Sequence, residues 1–191
     1  MDTRFDFTAS EPKWLKIWET SQTGTPPAAD SDKSPVFSMV IPPPNITGSL
    51  HMGHALDNVL PDYFVRHALM TGKHTLRVPG TDHAGIATQF VVEKNLKTKG
   101  IDRNSLSRQE FEVILKDWAQ TTKSDILNQL VGLGCLFDFT RTRFTMDEMC
   151  SSAVFEAFSS LYKEGLIYKG PRIITWCTRC GSAISDLELQ W

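Results

Sequence analysis

No apolar run in this chain approaches the length that crosses a membrane. The opening residues, Met1 to Asp6, lack the basic start and apolar core of a secretory signal. Neither sign of charge dominates: 20 Lys and Arg face 22 Asp and Glu, a formal net charge of −2. That balance argues against a broad nucleic-acid face on this segment, while leaving room for a local contact. Cysteine is scarce, four residues with a single Cys-x-x-Cys pair. A disulfide scaffold is therefore not expected, and a reduced, cytoplasmic setting is. No internal repeat is visible. What remains, 41% apolar and 22% charged residues over 191 positions, is enough for one domain with a sizeable core.

The densest pattern runs from Val36 to His54. Val36 to Ile41 is apolar and β-branched, which predicts a short buried strand in a parallel sheet. Pro42, Pro43 and Pro44 lack N–H donors and cannot continue a central strand, so they stiffen its exit in extended form. Gly48 lets the backbone approach a ligand, and Ser49 is placed to cap a following helix. His51 and His54, three apart, share one face of the first helical turn, with Gly53 keeping the surface between them flat. A helix N-terminus offers N–H groups and a positive dipole end to phosphate, and two imidazoles beside it add donors.

Around this stretch the chain alternates. Ser10, Glu11 and Pro12 read as the start of a short helix, with Trp14 and Trp18 as core anchors. Residues 21–35 read as an exposed loop. The helix after His54 carries an apolar stripe of Leu56, Val59, Leu60, Tyr63, Phe64 and Leu69. Pro61 inside it is expected to kink or break it, at about 3 kcal/mol in a regular helix. His74 to Val78 is a second strand candidate, closed by Pro79 and Gly80. Thr81 to Gln89 reads as strand end, loop and helix start, the place where open α/β sheets bind ligands. Ser107 with Glu110, and Thr145 with Glu148, have the spacing of capping boxes. The apolar stripes behind them, Phe111 to Val131 and Phe155 to Tyr162, are expected to face the core, with Gly165 stopping the second helix. Either Leu166 to Tyr168 or Arg172 to Trp176 suits a third strand. Cys177 and Cys180 form either a tight turn with free thiols or half of a zinc site, whose other two ligands are expected beyond residue 191.

His51-Met52-Gly53-His54 resembles the His-Ile-Gly-His signature of the class I aminoacyl-tRNA synthetases. The runs 42–58, 80–89 and 185–188 are similar to the valyl branch of that family. The isoleucyl and leucyl branches usually carry Trp at the position of Thr81 and lack the triproline-Asn run. The resemblance covers essentially the whole chain. It implies an α/β fold, the amino-terminal half of a Rossmann-like (HUP-type) parallel-sheet catalytic domain with flanking helices. It divides the chain into an N-terminal helix and loop (1–35), the first half of the catalytic domain (36–176), and the Cys-x-x-Cys turn entering a truncated editing insertion (177–191). By the resemblance, the second half of the sheet, the Lys-Met-Ser-Lys-Ser loop, the editing domain and the anticodon-binding helices are expected outside these 191 residues.

The implied activity of the complete enzyme, monomeric and soluble, is ATP-dependent activation of valine and its transfer to tRNA(Val). The substrates are then valine, ATP with Mg2+, and tRNA, with Zn2+ at Cys177 and Cys180 a further expectation. By the resemblance His51 and His54 contact the phosphates and Gly53 leaves room for the adenosine. Asn45, Thr47 and Gly48 line the same ATP loop. Asp82 pairs with the α-ammonium of valine, helped by the carbonyl of Pro43, with His83 and Gln89 as weaker candidates. The lesser alternative is that Asp82 caps a helix beginning at His83, and both roles can coexist. Two other functions stay open: another adenylyltransferase of the His-x-Gly-His superfamily, and a non-catalytic truncated paralogue.

Overall fold

The computed structural model describes residues 5–27, 33–178 and 181–185. Cys180, part of the 21–35 loop and residues 186–191 therefore lie outside the described residues. The chain divides into two compact units, Met1–Cys150 and Ser151–Trp191.

The first unit is built around one extended segment, residues 74–82. Strand β1 (Val36–Ser38) pairs in parallel with β2 (His74–Leu76), Phe37 opposite Thr75. Helix α2 (Met52–Met70) makes the crossover between them, the βαβ unit that parallel pairing requires. Strand β3 (Gly80–Thr81) pairs in parallel with β4 (Arg143–Phe144). Helices α3 (Ile86–Thr98) and α4 (Arg108–Gly132) fill that second crossover. Single backbone bonds join the pieces. Asp138 N–H donates to the Arg77 carbonyl at 2.8 Å, and Arg143 N–H to the Pro79 carbonyl at 3.0 Å. Segment 74–82 thus has 36–46 on one edge and 138–145 on the other.

The strand after Val36 is real but not buried. Val36 is 69% exposed and Val40 91%. Among the described residues its sheet has two hydrogen-bonded strands, so its outer edge and part of its face meet solvent. Of the two third-strand candidates, residues 166–175 form none. Trp176 and Cys177 form β5, in an antiparallel hairpin of the second unit with β6 (Ser182–Ala183).

Helix α1 (Phe7–Ser21) starts earlier than its Ser-Glu-Pro sequence suggests. Asp6 is its N-cap, accepting from Ala9 N–H at 3.1 Å, and Pro12 lies inside it. Trp18 is half-buried under the Arg66 guanidinium, 4.6 Å from the ring centroid, whereas Trp14 is exposed. One tryptophan is an anchor and the other is not.

Pro61 does not break α2, which runs unbroken over 19 residues. The residue deprived of its hydrogen bond, Asp57, is exposed, so water can satisfy its carbonyl. The buried face of α2 is also not the apolar one. Asn58, Asp62, Val65 and Ala68 are buried, while Leu56, Leu60, Tyr63 and Phe64 are exposed. The reason is a polar network. Asp62 accepts from Leu136 N–H at 2.7 Å, from Arg66 Nε at 2.6 Å and from Arg77 at 3.3 Å. Arg77, 1% exposed, also donates to the Asn58 carbonyl and stacks on Phe137 at 4.3 Å. Burial weakens its hold on the proton, and the Asp62 carboxylate opposes that shift. A buried charge persists only when paired in this way. Cys135, also buried, has its thiol pushed up to about 11 by burial and by Asp62.

Apolar burial centres on Ile46, Ile126, Leu130, Cys135 and Phe137, with a second cluster of Val92, Leu96 and Phe111. Helix α4 meets most of its expectation: the Ser107–Glu110 capping box is formed, and Phe111, Ile126 and Leu130 are buried, but Val131 at the end of the stripe is 42% exposed. Helix α5 (Glu148–Lys163) does not, since Phe155 is 74% exposed and none of its described residues is buried. Its stop is as expected. Gly165 takes φ +75° and donates to the Tyr162 carbonyl at 3.0 Å, ending the helix in a left-handed turn.

Candidate functional site

The two motif stretches meet on the backbone. Asp82 N–H donates to the Pro44 carbonyl at 2.8 Å, and Ile46 N–H to the Asp82 carbonyl at 2.9 Å. This isolated parallel bridge, Asn45 opposite Asp82, lies past the strand ends of β1 and β3. Prolines lack N–H donors but keep their carbonyls, so pairing resumes through the Pro44 carbonyl and then the Ile46 N–H. Trp118 of α4 fixes the bridge from behind, its indole N–H donating to the Ile46 carbonyl at 2.8 Å.

After Thr47 and Gly48 the chain turns into α2. Ser49 does not cap it; His51 does. His51 Nδ1 accepts from Gly53 N–H at 3.1 Å, and His54 Nδ1 accepts from His51 N–H at 3.2 Å. The pair reproduces a capping box with imidazoles in both places. The rings lie with centroids 3.9 Å apart, tilted by 33°. Both Nδ1 atoms act as acceptors, so in each neutral ring the proton sits on Nε2. The helix start therefore presents two N–H donors at its positive end. Burial, then the neighbouring His51, lowers the pKa of His54, and Asp57 partly opposes them. Gly53 has a reason the sequence did not show: a Cβ there would fall 2.8 Å from His51 Cε1. It clears space for a cap as well as leaving an open surface.

Asp82 does not cap α3, which begins at Ile86 after Gly85. Its Oδ2 accepts from Ala84 N–H at 3.3 Å, and its Oδ1 from the Thr145 hydroxyl at 3.0 Å. Ala84 holds φ +50°, a left-handed conformation unusual for alanine, and Gly85 follows at +48°. Such strain concentrates where a structure must aim particular atoms. The Thr145 oxygen also receives His83 N–H at 2.9 Å and lies 2.6 Å from His83 Nδ1. Thr88 of α3 holds the loop from the other end, donating to the His83 carbonyl at 2.7 Å. Gln89 lies exposed on that helix.

Next to these residues a groove of about 370 Å³ is lined by Ile41, Pro43, Leu76, Val78, Thr81 and Thr145, among others, mostly apolar. Pro43 and Thr145 face the same space. The other expected site residues separate into two groups: Asn45, Asp82 and His83 around the bridge, and His51, Gly53 and His54 on the helix start. Cys177 lies in the β5–β6 hairpin, whose turn is closed by Gly181 N–H on the Cys177 carbonyl at 2.9 Å. Among the described residues no group of three or more His, Cys, Asp or Glu side chains gathers for a metal.

Thr145 is the residue that sequence reasoning missed. Its Thr-Met-Asp-Glu context reads as a cap, but Asp147 does that work. Asp147 Oδ1 accepts from Cys150 N–H at 2.7 Å, and Oδ2 from Phe144 N–H at 3.2 Å. These bonds hold the Asp147 carboxyl below its usual range. The signal available was the second cap candidate, which leaves the threonine hydroxyl unassigned.

The model of tRNA synthetases class I (I, L, M and V) matches residues 13–191. The chain belongs to the class I tRNA synthetases. It is 48% identical to a valine–tRNA ligase of Mesorhizobium japonicum over 190 residues, 100% of this chain and 20% of that relative. It is 47% identical to a valine–tRNA ligase of Fervidobacterium nodosum over 189 residues, 99% of this chain and 21% of the relative. The chain thus spans about a fifth of the length of these relatives. Its fold is similar to the agnB2 LeuRS of Agrobacterium radiobacter K84, solved as a ternary complex with tRNA and LeuAMS. The TM-score is 0.76 at 17% identity, over 96% of this chain and 21% of that one. The Rossmann-like α/β fold expected for the catalytic domain of the class agrees with this likeness. No described helix is long and apolar enough to cross a membrane.

Proposed function

We propose that this chain supplies one half of the amino-acid activation site of a valine–tRNA ligase. The complete enzyme would join valine to ATP and pass the valyl group to tRNA(Val) in the cytoplasm. Residues 36–176 serve as the first half of the catalytic domain, residues 1–35 as its leading helix and loop, and 177–191 as the approach to an editing insertion. The observation that carries this reading is the Asn45–Asp82 bridge, which sets a carboxylate beside the triproline while two imidazole donors start the next helix.

In the first step a carboxylate oxygen of valine attacks the α-phosphorus of ATP in line. A new P–O bond forms as the bond to the bridging oxygen breaks, and pyrophosphate leaves with the electron pair. Little covalent help is needed; positioning and charge stabilisation decide the rate. The Nε2–H groups of His51 and His54 would donate to phosphate oxygens, with Thr47 and Gly48 shaping the loop beside them and Gly53 giving the adenosine access. Mg2+ would accompany ATP as the ion of the substrate. Asp82 would hold the α-ammonium, the Pro43 carbonyl accepting a second ammonium proton and His83 standing beside it. Fixing the ammonium end turns the substrate carboxylate towards the phosphate.

The donor chemistry of Cys177 and Cys180 suits zinc, but two thiolates fill only half of a closed tetrahedral site. They would act as a structural half-site completed by ligands from elsewhere, and no step of the reaction runs through them.

The test uses a chimera in which residues 13–191 replace the matching segment of the Mesorhizobium japonicum relative. Asp82→Asn should weaken valine binding ten- to a hundredfold, the loss of a charged hydrogen-bond partner, and leave ATP binding unchanged. Unaltered valine affinity would refute the assignment of Asp82.

A further inference from the structure

We propose that Thr145 is a positioning residue of the amino-acid site, orienting Asp82 and His83 through one hydroxyl. The inference rests on the reading of Asp82 as the ammonium partner. Thr145 touches no substrate in it.

Three contacts converge on the Thr145 oxygen: Asp82 Oδ1 at 3.0 Å, His83 N–H at 2.9 Å and His83 Nδ1 at 2.6 Å. A hydroxyl has one proton to donate and two lone pairs. The backbone N–H of His83 occupies one lone pair. An ionised Asp82 only accepts, so the single proton goes to Oδ1. The remaining contact is satisfied only if His83 Nδ1 carries a proton and donates it. The order is therefore His83 Nδ1–H to Thr145 Oγ1–H to Asp82 Oδ1. It fixes the His83 tautomer, leaving the Nε2 lone pair of the neutral ring for another donor. It also pins one oxygen of Asp82 while Ala84 N–H holds the other at 3.3 Å.

The backbone around Thr145 makes the hydroxyl dependable. Its N–H donates to the Thr81 carbonyl at 3.2 Å, extending β4 alongside the segment that carries Asp82. Asp147 takes over the cap of α5, so no competing donor draws the hydroxyl away. Charge-assisted hydrogen bonds from such supporting groups hold a first contact within the narrow geometry that binding requires.

Thr145→Val removes the hydroxyl at nearly constant shape, and Thr145→Ser keeps it. Two measurements separate positioning from packing. Long-range 15N correlation spectra of the His83 ring in this chain should report the Nδ1–H tautomer in the parent and in Thr145→Ser, and its loss in Thr145→Val. In the chimera, Thr145→Val should raise the KM for valine about tenfold, the loss of one hydrogen bond to a charged group, with the KM for ATP unmoved and Thr145→Ser close to the parent. An unchanged tautomer in Thr145→Val, or an equal rise in both KM values, would overturn the proposal. If Asp82→Asn raises the valine KM and Thr145→Val does not, the Thr145 assignment fails while the site stands. If Asp82→Asn itself has no effect, the site reading fails and this proposal falls with it.

Discussion

Asp62 accepts the buried guanidinium of Arg77 at 3.3 Å, and the two residues tie the crossover helix to the central segment of the sheet. The same carboxylate holds the Leu136 N–H, where the chain returns to that sheet. One side chain thus secures the elements on which both halves of the candidate site stand.

Asp62→Ala should cost about 3–5 kcal/mol of folding stability, because it leaves Arg77 charged and unpaired in the interior. Urea denaturation of this chain measures it, read as a drop in midpoint at constant slope. A double variant, Asp62→Leu with Arg77→Met, should recover part of the loss: no buried charge remains, but the Leu136 N–H still lacks its acceptor. A single substitution costing under ~1 kcal/mol would show that the network contributes little.

The histidine cap should respond to acid. The pKa of His54 is lowered in the fold, so the unfolded chain binds that proton more readily. The contribution of the cap is therefore complete above the ordinary value of about 6.5 and is lost as the pH falls from there through the lower folded value. Protonation at Nδ1 also removes the acceptor for His51 N–H. An NMR titration should place the His54 midpoint below ~6.5, and His51→Ala should move it upward by removing the neighbouring imidazole. A His54 midpoint above ~6.5 would contradict the capped geometry.

Much of the local structure around the candidate site was legible because its residues follow one another. The strand, the triproline, the His-x-Gly-His turn and the Gly-Thr-Asp-His loop are local patterns, and each appears close to its expected place. What was not legible depends on partners distant in sequence. The buried face of α2 is hidden in the sequence because Asn58 and Asp62 look solvent-facing until Arg77 and Leu136 arrive. The cost of Pro61 is likewise not legible locally, because it depends on whether the orphaned carbonyl reaches water. Ser49 and Thr145 look like caps by residue type, yet His51 and Asp147 do the capping. Residue type narrows the candidates for a cap, and tertiary contacts choose among them.

The central claim is that His51 and His54 serve the phosphates while Asp82 serves the amino acid. Valine-dependent ATP–pyrophosphate exchange by the chimera carrying residues 13–191 tests it most directly. The expected result is exchange that requires valine and falls by about a hundred- to a thousandfold for His51→Ala, the usual cost of losing one preorganised donor, and further when His54→Ala is added. The bare 191-residue chain should show at most a trace of it. Exchange indifferent to both histidines, or answering to isoleucine in place of valine, would contradict the account.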